Sequence, residues 1–189
     1  MIFASNNKGK LTEIRKIFNE EKIISLKEAN INIDVVEDCD SFYGNALKKA
    51  KEIYEIAKQP VIADDSGLCI DSLNNWPGVE THRFAGPEVS DTERNLLIIK
   101  KAQEIKNKTA RVVCNLVYYD GVNIVVGEGI IKGKITDNIR GKNGFGFDPI
   151  FELSNNKTLA ELTSEEKNKV SARYLAAIDL KEKLKKIKR

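Results

Sequence analysis

Two adjacent carboxylates at the end of an apolar run are the residues of this chain best suited to chemistry. Asp64, Asp65 and Ser66 follow the run Val61-Ile62-Ala63 and lead into Gly67. The run predicts a buried strand that ends in a glycine turn, where the two charges must be compensated. A divalent cation would compensate them, and Mg²⁺ is expected where substrate phosphates share the coordination. Alternatively, one Asp caps the turn and the other is solvated.

A polar turn near residue 5 offers a site for phosphate. The segment Ile2-Phe3-Ala4 predicts a short strand, and apolar residues at helical spacing follow the turn. Unpaired amides at the start of a helix attract anions, and Lys8 and Lys10 would strengthen that attraction. Capping of the helix by Ser5 or Asn7, with both lysines solvated, explains the same residues equally well.

A second group of acids lies in the turn Glu37-Asp38-Cys39-Asp40. The weak alternation of Ile31 to Val36 predicts a strand before this turn. Ser41 is expected to start a helix that ends before Pro60. Acids in such a turn are usually solvated, but here they could also complete a metal site begun by Asp65.

The segment from Gly141 to Pro149 concentrates three glycines, two aromatic residues and one acid. Glycines allow the backbone to approach a ligand closely, and Phe145 or Phe147 could stack on a base. A hairpin loop whose aromatic side chains cover the core is an equally good interpretation. The lone His82 could act as a general base, although a histidine without a visible partner is more often a surface or packing residue.

The middle of the chain predicts a hairpin. Arg111 to Tyr119 and Val122 to Lys132 are β-rich runs joined at Asp120-Gly121, which is a strong turn signal. Before it, the pair Ser90 and Glu93 predicts a capping box and a helix. Bulges or a ligand could explain the glycines at positions 127, 129 and 133.

The last segment predicts two helices. A capping box spans Thr163 to Glu166, and Lys167 and Arg173 follow six residues apart. On one continuous helix these two side chains would point away from each other. If both serve one ligand, the helix must break, and Ser171 is the expected new N-cap. The basic tail from Lys181 to Arg189 is expected to be a solvated helix end.

Composition limits the function classes. The chain has 189 residues and a net charge of +3, from 31 basic and 28 acidic residues, so it lacks the charge excess of a dedicated nucleic-acid binder. Cys39, Cys69 and Cys114 have neither zinc-site nor disulfide spacing, which fits a reducing cytoplasm. With no targeting signal and no apolar run long enough to span a membrane, a cytoplasmic protein is expected.

Four motifs taken together resemble the inosine triphosphate pyrophosphatase family. They are Ser5-x-Asn7-x-x-Lys10, Ala63-Asp64-Asp65-Ser66-Gly67, Gly144-Phe145-Gly146-Phe147-Asp148-Pro149 and Glu165-Glu166-Lys167-Asn168-x-x-Ser171-x-Arg173. They occur in order over nearly the whole chain and are far more specific together than singly. The family hydrolyses non-standard purine nucleoside triphosphates (ITP, dITP, XTP) to the monophosphate and pyrophosphate.

The resemblance implies an α/β fold, with an elongated mixed β-sheet and flanking helices in two lobes and a substrate cleft between them. It implies one such domain over residues 1–189, a homodimer, and a nucleoside triphosphate as partner rather than nucleic acid or a membrane. A pyrophosphatase that acts on modified pyrimidine triphosphates is an alternative, and it would be expected to have a similar fold. A nucleic-acid-binding module is another, although it leaves Glu37 and Asp65 unexplained.

The resemblance also implies roles for single residues. Asp65 would be the proton acceptor, and Glu37 and Asp65 would bind Mg²⁺. The remaining residues would bind the substrate. The triphosphate would contact Ser5, Asn6, Asn7, Lys8, Gly9 and Lys10. The base and sugar would contact a wall formed by Phe145, Gly146, Phe147 and Asp148. Ser66 would also contact the substrate, and Lys167 and Arg173 would complete the pocket.

Three positions depart from the family pattern. Ala172 stands where the family usually has a histidine, so one donor to the base is missing. Gly44 replaces a frequent acid, which leaves no metal ligand there. His82 replaces a small residue.

Overall fold

The computed structural model describes residues 1–187. Its contacts divide the chain into two units, each built from separate segments. The first unit contains Met1–Ser66, Cys114–Gly129 and the segment that begins at Ala172; the second contains Gly67–Val113 and Ile130–Ser171. Lys188 and Arg189, the end of the predicted basic tail, lie outside the described residues. A single domain over the whole chain stays a prediction.

The described residues form five α-helices and seven strands. The helices are α1 Lys8–Ile17, α2 Phe42–Ala57, α3 Asp91–Ala102, α4 Ser164–Val170 and α5 Ala172–Ile187. The strands are β1 Ile2–Phe3, β2 Ile24–Ser25, β3 Val61–Ile70, β4 Trp76–Pro77, β5 Thr109–Tyr119, β6 Ile124–Ile135 and β7 Phe151–Glu152. None of the helices within residues 1–187 has both the length and the apolar composition needed to cross a membrane.

The strands form one mixed sheet in the order β2-β1-β3-β5-β6-β7, and β4 pairs with β3. β1 runs parallel to β2 and β3, whereas β4 and β7 are antiparallel to their neighbours β3 and β6. Mixed pairing of this kind, with helices between the strands along the chain, confirms the predicted α/β class.

β3 is longer than the sequence predicts. It continues through Asp64, Asp65 and Gly67 to Ile70, and all ten of its residues are buried. The predicted glycine turn after Ser66 is therefore wrong. The strand does not need to end at the acids because protein groups around them, described below, compensate their charge.

The predicted strand from Ile31 to Val36 is also wrong, because these residues form no strand. Ile31 and Val35 are nevertheless buried in the apolar cluster that contains Ile2 and Val61. The apolar pattern of this segment thus reflects packing of a loop. The strand that pairs with β1 in this region is β2, which the sequence pattern did not reveal.

The helix boundaries follow the predicted capping residues. Asn7 accepts a hydrogen bond at the start of α1, and Ser41 does so at the start of α2. Capping boxes built on Ser90 and Thr163 start α3 and α4. Ser171 is extended, with φ −75° and ψ 149°, and separates α4 from α5, which confirms the predicted helix break.

The predicted hairpin is confirmed as β5 and β6. Within the first unit, the backbone of β6 approaches α5 so closely that only glycine fits. A Cβ on Gly127 would lie 2.1 Å from the Ala176 carbonyl oxygen, and a Cβ on Gly129 would lie 2.0 Å from the Ala172 carbonyl oxygen. Helix packing, rather than a bulge or a ligand, explains these two glycines.

Gly127→Ala should destabilise the protein because the added methyl group meets the α5 backbone. Overpacking of this kind typically costs about 1 to 3 kcal/mol. Chemical denaturation measures the loss. Lys132→Ala, at an exposed position on the same strand, is the control and should cost less than about 1 kcal/mol. Equal stability of the two variants would contradict the packing argument.

Candidate functional site

Asp64 is a buried charge with two cationic partners. Its side chain is 1 % exposed. Oδ2 accepts hydrogen bonds from Nε and Nη2 of Arg173 at 3.1 and 3.0 Å, and it lies 3.1 Å from Nζ of Lys10. Such pairing compensates the free-energy cost of burying a charged carboxylate in a core strand.

Arg173, in the first turn of α5, connects three parts of the first unit. Besides its two bonds to Asp64, its Nη1 donates to Glu13 of α1 at 2.9 Å and its Nη2 donates to Ser66 at 3.1 Å. The planar guanidinium suits several fixed acceptors at once, which a lysine ammonium would not. The residue therefore ties α1, β3 and α5 together.

The partners of Asp64 also fix its charge. Burial opposes ionisation, but Lys10 and Arg173 outweigh it and hold the pKa of the Asp64 carboxyl well below its usual range. Conversely, although burial opposes its charge, Asp64 and Glu13 raise the pKa of Arg173. Asp64 is consequently an anion at every physiological pH.

Asp65 has a different environment. Its Oδ2 accepts a hydrogen bond from Nδ2 of Asn45 at 2.9 Å, and its Oδ1 accepts one from the Ser66 amide at 2.9 Å. Burial, together with the negative charges of Glu37 and Asp64, raises the pKa of Asp65 to about 6, against the opposing effect of Lys49. A carboxylate of this basicity is suited to accept a proton near neutral pH.

Lys49 of α2 is a central cation that the sequence analysis missed. Its ammonium group binds the Glu37 carboxylate and donates to the backbone carbonyl of Asp64. Burial disfavours its charge, but Asp64 and Glu37 more than compensate and raise its pKa. Lys49 therefore stays protonated between the acids.

The sequence also left Asn45 and Glu13 unassigned. Asn45 and Lys49 are four residues apart, so they share one side of α2 next to its apolar stripe. Polar residues at that spacing beside an apolar stripe are the signal that could have identified them. Glu13, by contrast, lies in an ordinary amphipathic helix, and nothing in its sequence context indicates its role.

The turn before α1 has the predicted caps. Oγ of Ser5 accepts from the Asn7 amide at 3.1 Å, and Oδ1 of Asn7 accepts from the Lys10 amide at 3.1 Å. Oδ1 of Asn6 accepts from the Lys27 amide at 3.2 Å, which anchors the turn. The predicted caps are thus confirmed, but the expectation that both lysines are solvated is wrong, because Lys10 pairs with Asp64. The phosphate-binding role stays a prediction.

A cavity of about 250 Å³ in the first unit brings predicted phosphate-binding residues together with Glu37, one of the two predicted metal ligands; Asp65 is not among its lining residues. Ser5, Asn6 and Lys10 line it on the side of the turn. Its other polar lining residues include Glu37, Lys49, Asp34 and Asp64. Segments far apart in sequence therefore meet at one polar cavity, with both cations and anions in its wall.

The acids in this unit fit a magnesium ion that shares its coordination with phosphate. Glu37 and Asp65 would supply oxygen ligands, and Oδ1 of Asp64 is buried without a hydrogen-bond partner among the described residues. The described residues contain no cluster of three or more His, Cys, Asp or Glu side chains that could form a complete cage. Mg²⁺ commonly uses one or two carboxylates plus water and substrate phosphates, which agrees with this donor set.

The glycine-rich segment forms a compact loop in the second unit. Oδ2 of Asp148 accepts a hydrogen bond from the Phe145 amide at 2.8 Å and pairs with Nζ of Lys167 at 2.6 Å. The same ammonium lies 4.2 Å from the centroid of the Phe145 ring. Phe145 and Phe147 are only half-buried, which leaves ring surface available for stacking.

All three departing positions have defined surroundings. A Cβ built on Gly146 would lie 4.0 Å from Cε1 of His82, so this imidazole is beside the glycine-rich loop. Ala172 is 2 % exposed in the first unit, packed where α5 meets Gly129. Gly44 lies at the start of α2, where a Cβ would meet Cβ of Cys39 at 2.9 Å.

Arg173→Met should strongly destabilise the protein because it removes the guanidinium from the buried carboxylates of Asp64 and Glu13. Breaking a buried ion pair typically costs about 3 to 5 kcal/mol. Urea denaturation measures the loss. The control is Arg15→Met, whose pair with Glu28 is exposed and should contribute less than about 1 kcal/mol. A similar, small loss in both variants would contradict the central position of Arg173.

The chain is similar to known proteins over nearly its whole length. The family model for the Ham1 family matches residues 1–183. A dITP/XTP pyrophosphatase of Clostridium tetani is 40 % identical, covering 98 % of this chain and 96 % of that protein. One from Borrelia duttonii is 41 % identical, covering 93 % and 92 %.

Solved structures agree as well. A HAM1 protein from Coxiella burnetii superposes with a TM-score of 0.90 at 33 % identity, covering 98 % of both chains. The Staphylococcus aureus Ham1 protein gives a TM-score of 0.89 at 33 % identity, covering all of this chain and 98 % of that one. The motif-based recognition is confirmed, and the chain belongs to the Ham1 family.

Proposed function

We propose that this chain is a nucleoside triphosphate pyrophosphatase that hydrolyses dITP, ITP and XTP to the monophosphate and pyrophosphate in the presence of Mg²⁺. The observation that carries the proposal is the polar cavity of the first unit, where the turn before α1 meets Glu37 and Lys49. Relatives named dITP/XTP pyrophosphatases, about 40 % identical over nearly the whole chain, support the same reaction.

The turn from Ser5 to Lys10 binds the triphosphate in this proposal. Amides at the start of α1 face an anion favourably, and the side chains of Ser5 and Asn6 line the cavity. Lys10 lies between the turn and Asp64, so it contributes positive charge while staying paired. Lys8 is exposed beside the turn and adds charge that is more strongly screened.

Asp65 accepts the proton of the attacking water. The water oxygen bonds to phosphorus as the anhydride bond between the α and β phosphates breaks, and pyrophosphate leaves with the electron pair of that bond. Lys49 holds Glu37 in place and stabilises negative charge in the cavity. When bound by Glu37 and Asp65, Mg²⁺ would supply further charge neutralisation on the phosphate oxygens.

Residues of the second unit recognise the base and sugar in this proposal. Phe145 and Phe147 offer ring surface for stacking, and Asp148 and Lys167 fix the loop that carries them. Hypoxanthine and xanthine present a 6-oxo acceptor, whereas adenine presents a 6-amino donor. Hydrogen-bond donors facing that position would therefore reject adenine, because its amino group would leave them unpaired.

From the resemblance to the family, we also propose an assembly state, a cellular location and further nucleotide contacts. The enzyme acts as a homodimer in the cytoplasm and binds neither nucleic acid nor membranes. The described cysteines are all free thiols, which agrees with a reducing compartment. Arg173 and Ser66 contact the nucleotide while they remain bonded to each other.

Asp65→Asn should abolish pyrophosphate release from ITP, because the amide cannot accept the proton of water. Loss of a general base costs roughly 10² to 10⁴ in rate. The substitution keeps the side-chain shape but replaces one of the two acceptors, which bind Asn45 and the Ser66 amide, with a donor. The melting temperature is therefore measured as well, and the activity is compared in the folded variant. Asp40→Asn, an exposed acid of the same unit, is the matched control and should keep full activity. Substantial activity of Asp65→Asn would refute its role.

Base selection should favour 6-oxo purines, but less strongly than in relatives that have a histidine at position 172. A panel of ITP, XTP, dITP, ATP and modified pyrimidine triphosphates measures it through pyrophosphate release. Ala172→His should raise the ratio of ITP to ATP turnover. Because Ala172 is buried, the melting temperature of the variant is needed as a control. An unchanged ratio in a folded variant counts against this account, and a preference for pyrimidines would favour the alternative substrate class.

A further inference from the structure

Three side chains of α3 form one polar patch within the second unit. Asp91, Arg94 and Asn95 occupy positions i, i+3 and i+4 of the helix, so they lie on the same face. Arg94 and Asn95 are buried, whereas the carboxylate of Asp91 is half-exposed. Buried polar residues at this spacing need partners, and the partner of this patch is the glycine-rich loop.

Asp91 and Asn95 bind the two backbone groups of Gly146, a residue of the glycine-rich loop. The Gly146 amide donates to Oδ2 of Asp91 at 3.0 Å. The Gly146 carbonyl oxygen accepts from Nδ2 of Asn95 at 2.8 Å. Both backbone hydrogen-bonding groups of Gly146 are therefore bound by side chains of α3, across more than 50 residues of sequence.

Arg94 holds the Asp91 carboxylate in the orientation that this contact needs. Its Nη1 donates to Oδ1 of Asp91 at 2.8 Å, and its Nη2 donates to the Val89 carbonyl at 2.8 Å. Oδ2 of Asp91 is thereby left facing Gly146. The half-exposed carboxylate is thus fixed by a buried guanidinium rather than free to rotate in solvent.

The position of Gly146 decides where the neighbouring aromatic rings lie. Gly146 has φ +62°, a backbone conformation that residues with a side chain rarely adopt. It lies between Phe145 and Phe147 in the sequence. The preceding amide, that of Phe145, is already bound by Asp148. Asp148 therefore holds the Phe145 amide, and side chains of α3 hold the amide and the carbonyl of Gly146.

We propose that Asp91 and Asn95 are positioning residues for base recognition. They fix the Gly146 peptide and, through it, place Phe145 and Phe147 to stack on the purine. This inference rests on the proposed function, because it assigns the base to that loop. Arg94 acts one step further away by orienting Asp91.

We call the contacts of Asp91 and Asn95 with the Gly146 backbone the clamp. The test compares two variants of the clamp with a matched control on the same helix. Asp91→Ala removes the acceptor of the Gly146 amide, and Asn95→Leu removes the donor to its carbonyl. Each should raise KM for ITP about three- to tenfold, the effect of one lost hydrogen bond, with little change in kcat. Glu93→Ala removes a capping contact of α3 but none to Gly146, so it should lower the melting temperature without changing KM.

Hydrogen–deuterium exchange of the segment 143–148 provides a readout that does not depend on activity. Asp91→Ala is at a half-exposed site and should fold even if Asn95→Leu does not. Its exchange in this segment should be faster than in the parent, and that of Glu93→Ala should match the parent. Unchanged exchange in Asp91→Ala would overturn the clamp.

The two readouts separate the clamp from the function. Faster exchange with unchanged KM and an unchanged ratio of ITP to ATP turnover would overturn the role in base recognition. An equal rise of KM in Glu93→Ala would also overturn it, because any weakening of α3 would then suffice. A parent protein that hydrolyses no nucleotide would refute the proposed function and base positioning together, while the exchange result would still decide the clamp.

Discussion

The buried charge of Asp64 is the constraint on which the first unit depends. A carboxylate in the middle of a fully buried strand is tolerated only with close cationic partners, and Arg173 and Lys10 supply them. These partners come from distant parts of the chain, since Arg173 lies 109 residues after Asp64 and 160 after Glu13. One charge network thus holds the first helix, the central strand and the last helix together.

The same network separates the chemistry of two neighbouring acids. Successive residues of a strand point to opposite faces, so Asp64 and Asp65 have different neighbours. Arg173 and Lys10 keep Asp64 ionised, while burial and nearby negative charge raise the pKa of Asp65 to about 6. Adjacent carboxylates with divergent pKa values are a recurrent sign of divided roles, which supports the proposal that Asp64 is structural and Asp65 reactive. Lys49 completes the arrangement because it is paired with Glu37 and lies against the Asp64 backbone.

The sequence predicted those features of the fold that depend on neighbouring residues in the chain. Capping residues such as Ser90 and the helix break at Ser171 were predictable because each depends on a few adjacent residues. The segment 31–36 was assigned wrongly because alternation cannot distinguish a paired strand from a loop packed on the core. Lys49 was missed because its role exists only when α2 lies against β3. The acids of β3 were found from their residue types, but their compensation by protein cations required the fold.

In the proposed mechanism, the polar residues of the first unit, with Mg²⁺, direct cleavage to the bond between the α and β phosphates. Phosphorus-31 NMR of ITP incubated with the protein tests it most directly, because it identifies every phosphorus-containing product. The account predicts IMP and pyrophosphate in equal amounts with Mg²⁺, and unchanged ITP when a chelator replaces the metal. Formation of IDP and orthophosphate, or equal turnover in the presence of the chelator, would contradict it.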